Sequence, residues 1–266
     1  MKILQAIEAD FEESISRSSD EARDIRMDNF NEFKKLGIPT SKQEFWKFTN
    51  PSIIKDSEFT LGPSEDYDDK KYDIIVVNGK LTKKNDDIKI NNIHESLAEK
   101  EISNEIFGIT NNPFINLNNA FSTEGCVVSF KGNMEQEVSI LNVVDNTTSK
   151  QITHPRIIVN VGKNSNVSIL EEIRFLGNKE NLVNSVTNFM LDEGSKVEHV
   201  LVDDYSENTY QISNVLVKQK RDSTFSSYNY SNGKRLARKD FIIELKERGA
   251  HCDLRGVYLA EQKNHI

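Results

Sequence analysis

Val161-Gly162-Lys163-Asn164-Ser165-Asn166-Val167 ends one apolar, β-branched run, turns through polar residues and starts a second run. The unit returns as Leu191-Asp192-Glu193-Gly194-Ser195-Lys196-Val197, as Val217-Lys218-Gln219-Lys220-Arg221-Asp222-Ser223 and as Leu245-Lys246-Glu247-Arg248-Gly249-Ala250-His251. Their first residues lie 30, 26 and 28 positions apart. One strand-turn-strand unit cannot bury its apolar face alone, whereas stacked units pair their backbones above and below and enclose a continuous core. The repeat therefore predicts a mostly β chain: a right-handed parallel β-helix (β-solenoid) preceded by a small α-helical N-terminal domain. Val161-Gly162-x-x-Ser165-x-Val167 also fits one unit of the hexapeptide β-helix acyltransferases, but those repeat the hexapeptide consecutively, and this chain does not.

Upstream of the repeat, Ile3, Ile7, Phe11 and Ile15 share one stripe of a helix. Ser18 with Glu21 fits a capping box for a second helix, whose stripe is Met27, Phe30, Phe33 and Leu36 and whose stop is Gly37 and Pro39. Thr40 or Ser41 is placed to cap a short third helix carrying Phe45, Trp46 and Phe48. Residues 62–69 are turn-forming and acidic, which reads as a solvated linker. Tyr72 to Val77 is a strand that turns at Asn78-Gly79 into a hairpin partner, and residues 95–121 are helical in two pieces, the second opened by Pro113. The divisions expected are residues 1–70 (helical domain and acidic linker), 71–124 (hairpin and helices leading into the core) and 125–266 (solenoid).

Thirty-four Lys and Arg against 42 Asp and Glu give a net charge of −8, the wrong sign for a polyanion's main partner. Nucleic acid and anionic membrane surfaces are excluded on that ground. No apolar run approaches the roughly 20 residues of a membrane span, and the first 15 residues lack the pattern of a secretory or transit peptide. A soluble, cytoplasmic protein is expected.

Four stretches resemble the SufB/SufD family of iron-sulfur cluster assembly proteins. Leu36-Gly37-Ile38-Pro39-Thr40-Ser41-Lys42-Gln43-Glu44-Phe45-Trp46-Lys47-Phe48-Thr49 is similar to the SufD-branch signature Leu-Pro-Thr followed by Glu-x-Trp-Lys-Tyr-Thr, with Phe48 in place of Tyr. Leu117 to Gly125, Pro155 to Gly162, and Gly233-Lys234-Arg235-Leu236-Ala237-Arg238-Lys239-Asp240 with Gly249-Ala250 and Leu254 to Tyr258 look like the same family. The resemblance implies a solenoid fold and a SufD-like, non-catalytic scaffold subunit. Its implied partners are a SufB-like subunit and, through a C-terminal helical domain, a SufC-like ATPase. The family continues beyond a stretch like Gln262-Lys263-Asn264-His265-Ile266 into further coils, so the chain is expected to be cut short at Ile266. Only Cys126 and Cys252 are available as thiols, whereas a cluster needs about four ligands of that type. The expectation is accordingly no cofactor bound by this chain alone and an iron-sulfur cluster present only transiently in a full complex. The alternatives are a SufB-branch scaffold, a β-helix carbohydrate-active enzyme, or an interaction solenoid unconnected with iron and sulfur.

No residue of the sequence stands out as a catalytic, cofactor-binding or metal-binding group. His251-Cys252 beside Asp253 is the one thiol-imidazole neighbour, but adjacent strand residues point to opposite faces. Cys126 opens an apolar run and reads as core. Trp46 reads as a packing anchor flanked by Phe45 and Phe48. Lys234, Arg235, Arg238 and Lys239 read as a solvated turn, with an acidic docking partner as the sharper alternative. Glu171-Glu172 and Asp203-Asp204 are carboxylate pairs of the kind a glycosidase needs, yet each pair splits across a strand. No Gly-x-Gly-x-x-Gly or Walker sequence occurs, so nucleotide hydrolysis falls to a partner.

Overall fold

The computed structural model describes residues 2–16, 20–63, 66–99, 102, 104–122, 124–204 and 206–260. Helix α1 (Lys2–Ser16) buries Ile3, Ile7, Phe11 and Ile15, the stripe read from the sequence. Helix α2 (Asp20–Leu36) is closed by Gly37 at φ +67°, whose N–H returns to the Phe33 carbonyl at 2.8 Å. Its buried face differs from the expected stripe: Met27 is exposed, while Ala22, Arg26 and Asn29 are buried with Phe30 and Phe33. The cause is polar pairing with a later helix. Arg26 Nε donates to the Ala120 carbonyl at 2.6 Å and Asn29 Nδ2 to the Phe107 carbonyl at 2.8 Å, so the buried face must include them. The expected cap at Ser18 lies outside the described residues.

The expected third helix is a single 3₁₀ turn, Glu44–Trp46. Thr40 N–H donates to Gln43 Oε1 at 3.0 Å and Lys42 N–H to Thr40 Oγ1 at 3.3 Å, which satisfies the turn without a helix behind it. Trp46 is buried against Phe114, ring centroids 5.5 Å apart. Trp46 is thus the packing anchor expected, while its neighbours Phe45 and Phe48 are 84% and 82% exposed.

Short strand β1 (Thr60–Leu61) precedes the acidic stretch, which is tied down where it is described: Arg174 donates to Tyr67 Oη at 3.0 Å and to Asp69 at 3.2 Å, and Lys83 pairs with Asp68 at 3.0 Å. Strands β2 (Ile74–Val77) and β3 (Lys80–Lys84) form the hairpin. Asn78 and Gly79 both have positive φ, +49° and +94°, as a tight hairpin turn requires. β4 (Lys89–Asn92), α3 (Ile93–Ala98) and α4 (Pro113–Phe121) complete the first half, with α3 started by a reciprocal Asn92–Glu95 capping box.

The second half alternates between two sheets. One holds β5 (Cys126–Phe130), β7 (Gln151–Thr153), β8 (Arg156–Val161), β10 (Asn181–Leu191), β12 (Ser206–Gln219) and β14 (Lys234–Leu245); the other holds β6 (Glu135–Val144), β9 (Asn166–Phe175), β11 (Lys196–Asp203), β13 (Thr224–Asn232) and β15 (His251–Leu259). Successive coils pair in parallel, giving a β-solenoid of about five turns. Glu135 sits beside Asn166, Asn166 beside Lys196, Lys196 beside Thr224 and Thr224 beside His251, so successive circuits take 31, 30, 28 and 27 residues. β3 and β4 pair antiparallel with β2 and β5 and so close the first end; β14 and β15 are the outermost strands at the other.

The first circuit, turning at Gly132-Asn133, escapes the sequence repeat because Glu135-Gln136-Glu137 begins its second strand without apolar alternation. The third unit is also offset by two residues. Leu191 registers with Gln219, and Gln219 with Leu245, so Gln219 and not Val217 fills the slot. Gln219 is wholly buried there because its amide nitrogen donates to the Ser223 and His251 carbonyls at 3.2 and 2.9 Å, bracing the turn. At every turn one residue takes a left-handed backbone: Asn133, Asn164, Gly194, Asp222 and Gly249, φ between +56° and +76°. These are the residue types for which that conformation is least costly.

Valines, isoleucines and phenylalanines from both sheets fill the interior, among them Val159, Val161, Val167, Phe189, Val217 and Phe225. The outer face of the first sheet carries Ile152, Leu182, Tyr210, Ile212 and Leu236, and α1, α2, α4 and Trp46 pack on it in one shared cluster. Each fully buried aliphatic side chain contributes about 1.5–3 kcal/mol. The second sheet shows the period-2 alternation of a face turned to water, clearest in β9.

Candidate functional site: the polar interior

Along part of its length the solenoid interior is polar. His199 on β11 is in register with Ser227 on β13, and Glu171 on β9 lies two residues along from its level: His199 Nε2 is 3.1 Å from Glu171 Oε2, and its Nδ1 is 3.1 Å from Ser227 Oγ. Asn142 Nδ2 donates to the other Glu171 oxygen at 2.8 Å, and Asn229 Nδ2 donates to Ser227 Oγ at 3.1 Å. In a neutral imidazole that donates Nε2–H to the carboxylate, Nδ1 is left to accept from the Ser227 hydroxyl. That is the order of a nucleophile, base and orienting acid. However, His199 and Ser227 are completely buried, so no substrate carbonyl reaches Oγ. The chemistry open to this column is to satisfy polar groups inside the stack.

A second group lies one corner away. Lys234, fully buried, places Nζ 3.2 Å from Asp203, donates to the Asn232 carbonyl at 3.1 Å and also reaches the Asp204 carbonyl. Ser231 Oγ donates to Asp203 at 3.3 Å. Lys239 points inward from β14 with its ammonium sealed from solvent. Burial pulls both lysines below the usual range, opposed by the Asp203 charge. Asp203, Gln211, Ser231, Lys239 and Tyr258 line a cavity of about 420 Å³.

These positions correct the reading of Lys234, Arg235, Arg238 and Lys239 as a solvated turn. They lie on β14, where Lys239 alternates with Arg238, which faces Trp46, and a register shift between Lys234 and Leu236 lets Lys234 be buried as well although it is five residues from Lys239. His251 and Cys252 are consecutive on β15; His251 is exposed and Cys252 packs against the core. Cys126 is in the core, its thiol pushed up to about 12 chiefly by burial. Glu171 and Asp203 point inward while Asp204 is exposed. Sequence reasoning missed His199, Ser227 and the inward lysines. A signal was present: Ser227 lies 28 residues after His199, one circuit, and Glu171 lies 28 before it, two short of the 30-residue circuit there. No group of three or more His, Cys, Asp or Glu able to hold a metal occurs among the described residues, and none of their helices is long and apolar enough to cross a membrane.

The β-solenoid is closed at its first end, carries helices on one sheet and holds ionic groups in its interior, and residues 143–266 match the SufBD core domain of the SUF system for FeS cluster assembly. That match covers just under half of the chain and, with the relatives below, supports the SufB/SufD family. The relatives found are SufD proteins. The chain is 30% identical over 138 residues, 51% of its length, to the iron-sulfur cluster assembly protein SufD of Plasmodium falciparum, and 25% identical over 230 residues, 86% of its length, to that of Plasmodium berghei. Those alignments span only 9% and 15% of the two relatives' own lengths.

Proposed function

We propose that the chain is a non-catalytic scaffold element of SUF iron-sulfur cluster assembly, SufD-like in role, which pairs with a SufB-like subunit and works with a SufC-like ATPase. The observation that carries this reading is the coincidence of the SufBD core match, residues 143–266, with the stacked coils from the end of β6 onward. A rigid stack keeps a long surface in fixed register, which suits pairing with a second stack. β14 and β15 supply such a surface: both are edge strands, and Ile242, Leu245, Leu254, Val257, Tyr258 and Leu259 on them are exposed. The cluster is cargo of the complex and not a resident group of this chain, and the site of action is the cytoplasm. The reading is tested by co-expressing the chain with SufB-like and SufC-like proteins from the same genome. Stoichiometric co-elution with the SufB-like protein, abolished by Val257→Lys with Leu259→Lys, is expected. Separate elution of the unmodified chain overturns the reading.

A further inference from the structure

The interior opens at the corner where β11 leads to β12 and β13 to β14. The cavity there, about 420 Å³, is walled by Asp203 and Ser231 from the second sheet and by Gln211 and Lys239 from the first. Its charges pair off unevenly. Asp203 takes Lys234 at 3.2 Å, and Arg238 takes Asp240 at 2.8 Å, but Lys239 Nζ has no hydrogen-bond partner among the described residues. Gln211 is 1% exposed and its Oε1 also lacks a partner, because its amide nitrogen is used on Ser213. A buried ammonium and a buried carbonyl left unmatched beside one cavity ask for a single guest that accepts from the first and donates to the second. We propose that this mouth binds a small oxoanion bearing a hydroxyl, of the hydrogen phosphate type, with Lys239 as its cation and Gln211 Oε1 as acceptor for its proton. The lysine's flexible stem lets the ammonium swing into the cavity, which Ser231 and Tyr258 also line. The site does not rest on the scaffold reading and survives its failure.

Calorimetric titration of inorganic phosphate into the full chain at low ionic strength is expected to show saturable binding at one site. Lys239→Met should weaken it at least about tenfold, as loss of a charge-assisted hydrogen bond does. Arg235→Ala, outside the interior, should leave it unchanged. Acetate, which lacks the hydroxyl, should bind more weakly than phosphate. Absence of saturable phosphate binding, or equal binding by Lys239→Met, overturns the proposal. Should that variant not fold, crystals of the unmodified chain soaked in sodium bromide decide the matter: an anomalous peak beside Lys239 Nζ supports the site, and peaks only at exterior cations overturn it.

Discussion

The guanidinium of Arg238 lies over the indole of Trp46, 4.2 Å from the ring centroid, and donates to the Phe45 carbonyl at 2.6 Å across 193 residues of sequence. The N-terminal motif is thereby fastened to β14, one of the last strands of the stack. Trp46→Ala should cost roughly 3–5 kcal/mol in urea unfolding, as a buried aromatic does, and Arg238→Ala about 0.5–2 kcal/mol. The double variant should lose less than the sum, because the two share one contact. Additive losses would show that the fastening is not shared.

Stability should fall in mild acid through His154. This imidazole is buried, stacked on Phe121 with centroids 4.6 Å apart, and accepts at Nδ1 from Asn184 Nδ2; burial depresses its pKa to about 3. The unfolded chain takes up the proton near pH 6.5 while the folded chain refuses it until about pH 3. The native state therefore loses up to about 1.4 kcal/mol per pH unit as pH drops through that window. Urea midpoints of His154→Gln should show a shallower decline than the parent between pH 6.5 and pH 5. Parallel curves would assign the acid sensitivity elsewhere.

The two thiols should differ sharply toward a disulfide reagent at pH 8. Cys126 is fully buried with its pKa near 12, whereas Cys252 is partly exposed and raised less, again by burial first. One equivalent should react in the native protein and the second only on unfolding. Cys252→Ser should abolish the fast phase, and a fast phase that persists would contradict the placement of Cys126.

Ser227 should matter to packing and not to turnover. Ser227→Ala is expected to leave hydrolysis of small activated esters unchanged and to cost about 1–3 kcal/mol, because His199 Nδ1 then loses its partner in a sealed interior. His199→Leu should cost at least as much by stranding the Glu171 carboxylate. A Ser227-dependent esterase activity would restore the catalytic reading of the column.

Much of this architecture is legible in the residues. α1 and the Asn78-Gly79 hairpin rest on local rules, 3.6-residue spacing and positive φ, which tertiary contacts do not override here. The repeat was legible where apolar residues mark the turn, and slipped where Gln219 holds an apolar slot by satisfying its amide internally. The candidate site was nearly invisible for a related reason. On β14 polar residues occupy both faces, so Lys234 and Lys239 cannot be told from exposed lysines by alternation; only the strands stacked beside them decide which face is enclosed. Phe45 and Phe48 show the converse, since apolar character alone gave no hint that both face water.

The circuits shorten from 31 residues to 27 while the strands of the second sheet stay paired residue for residue, so the shortening falls outside those strands. The storeys of this tower are therefore not interchangeable: one copied from the first circuit and spliced near the last would bring connections its neighbours do not match. Growth of such a tower by duplication is easiest at the tip, where a new storey has to match only one other.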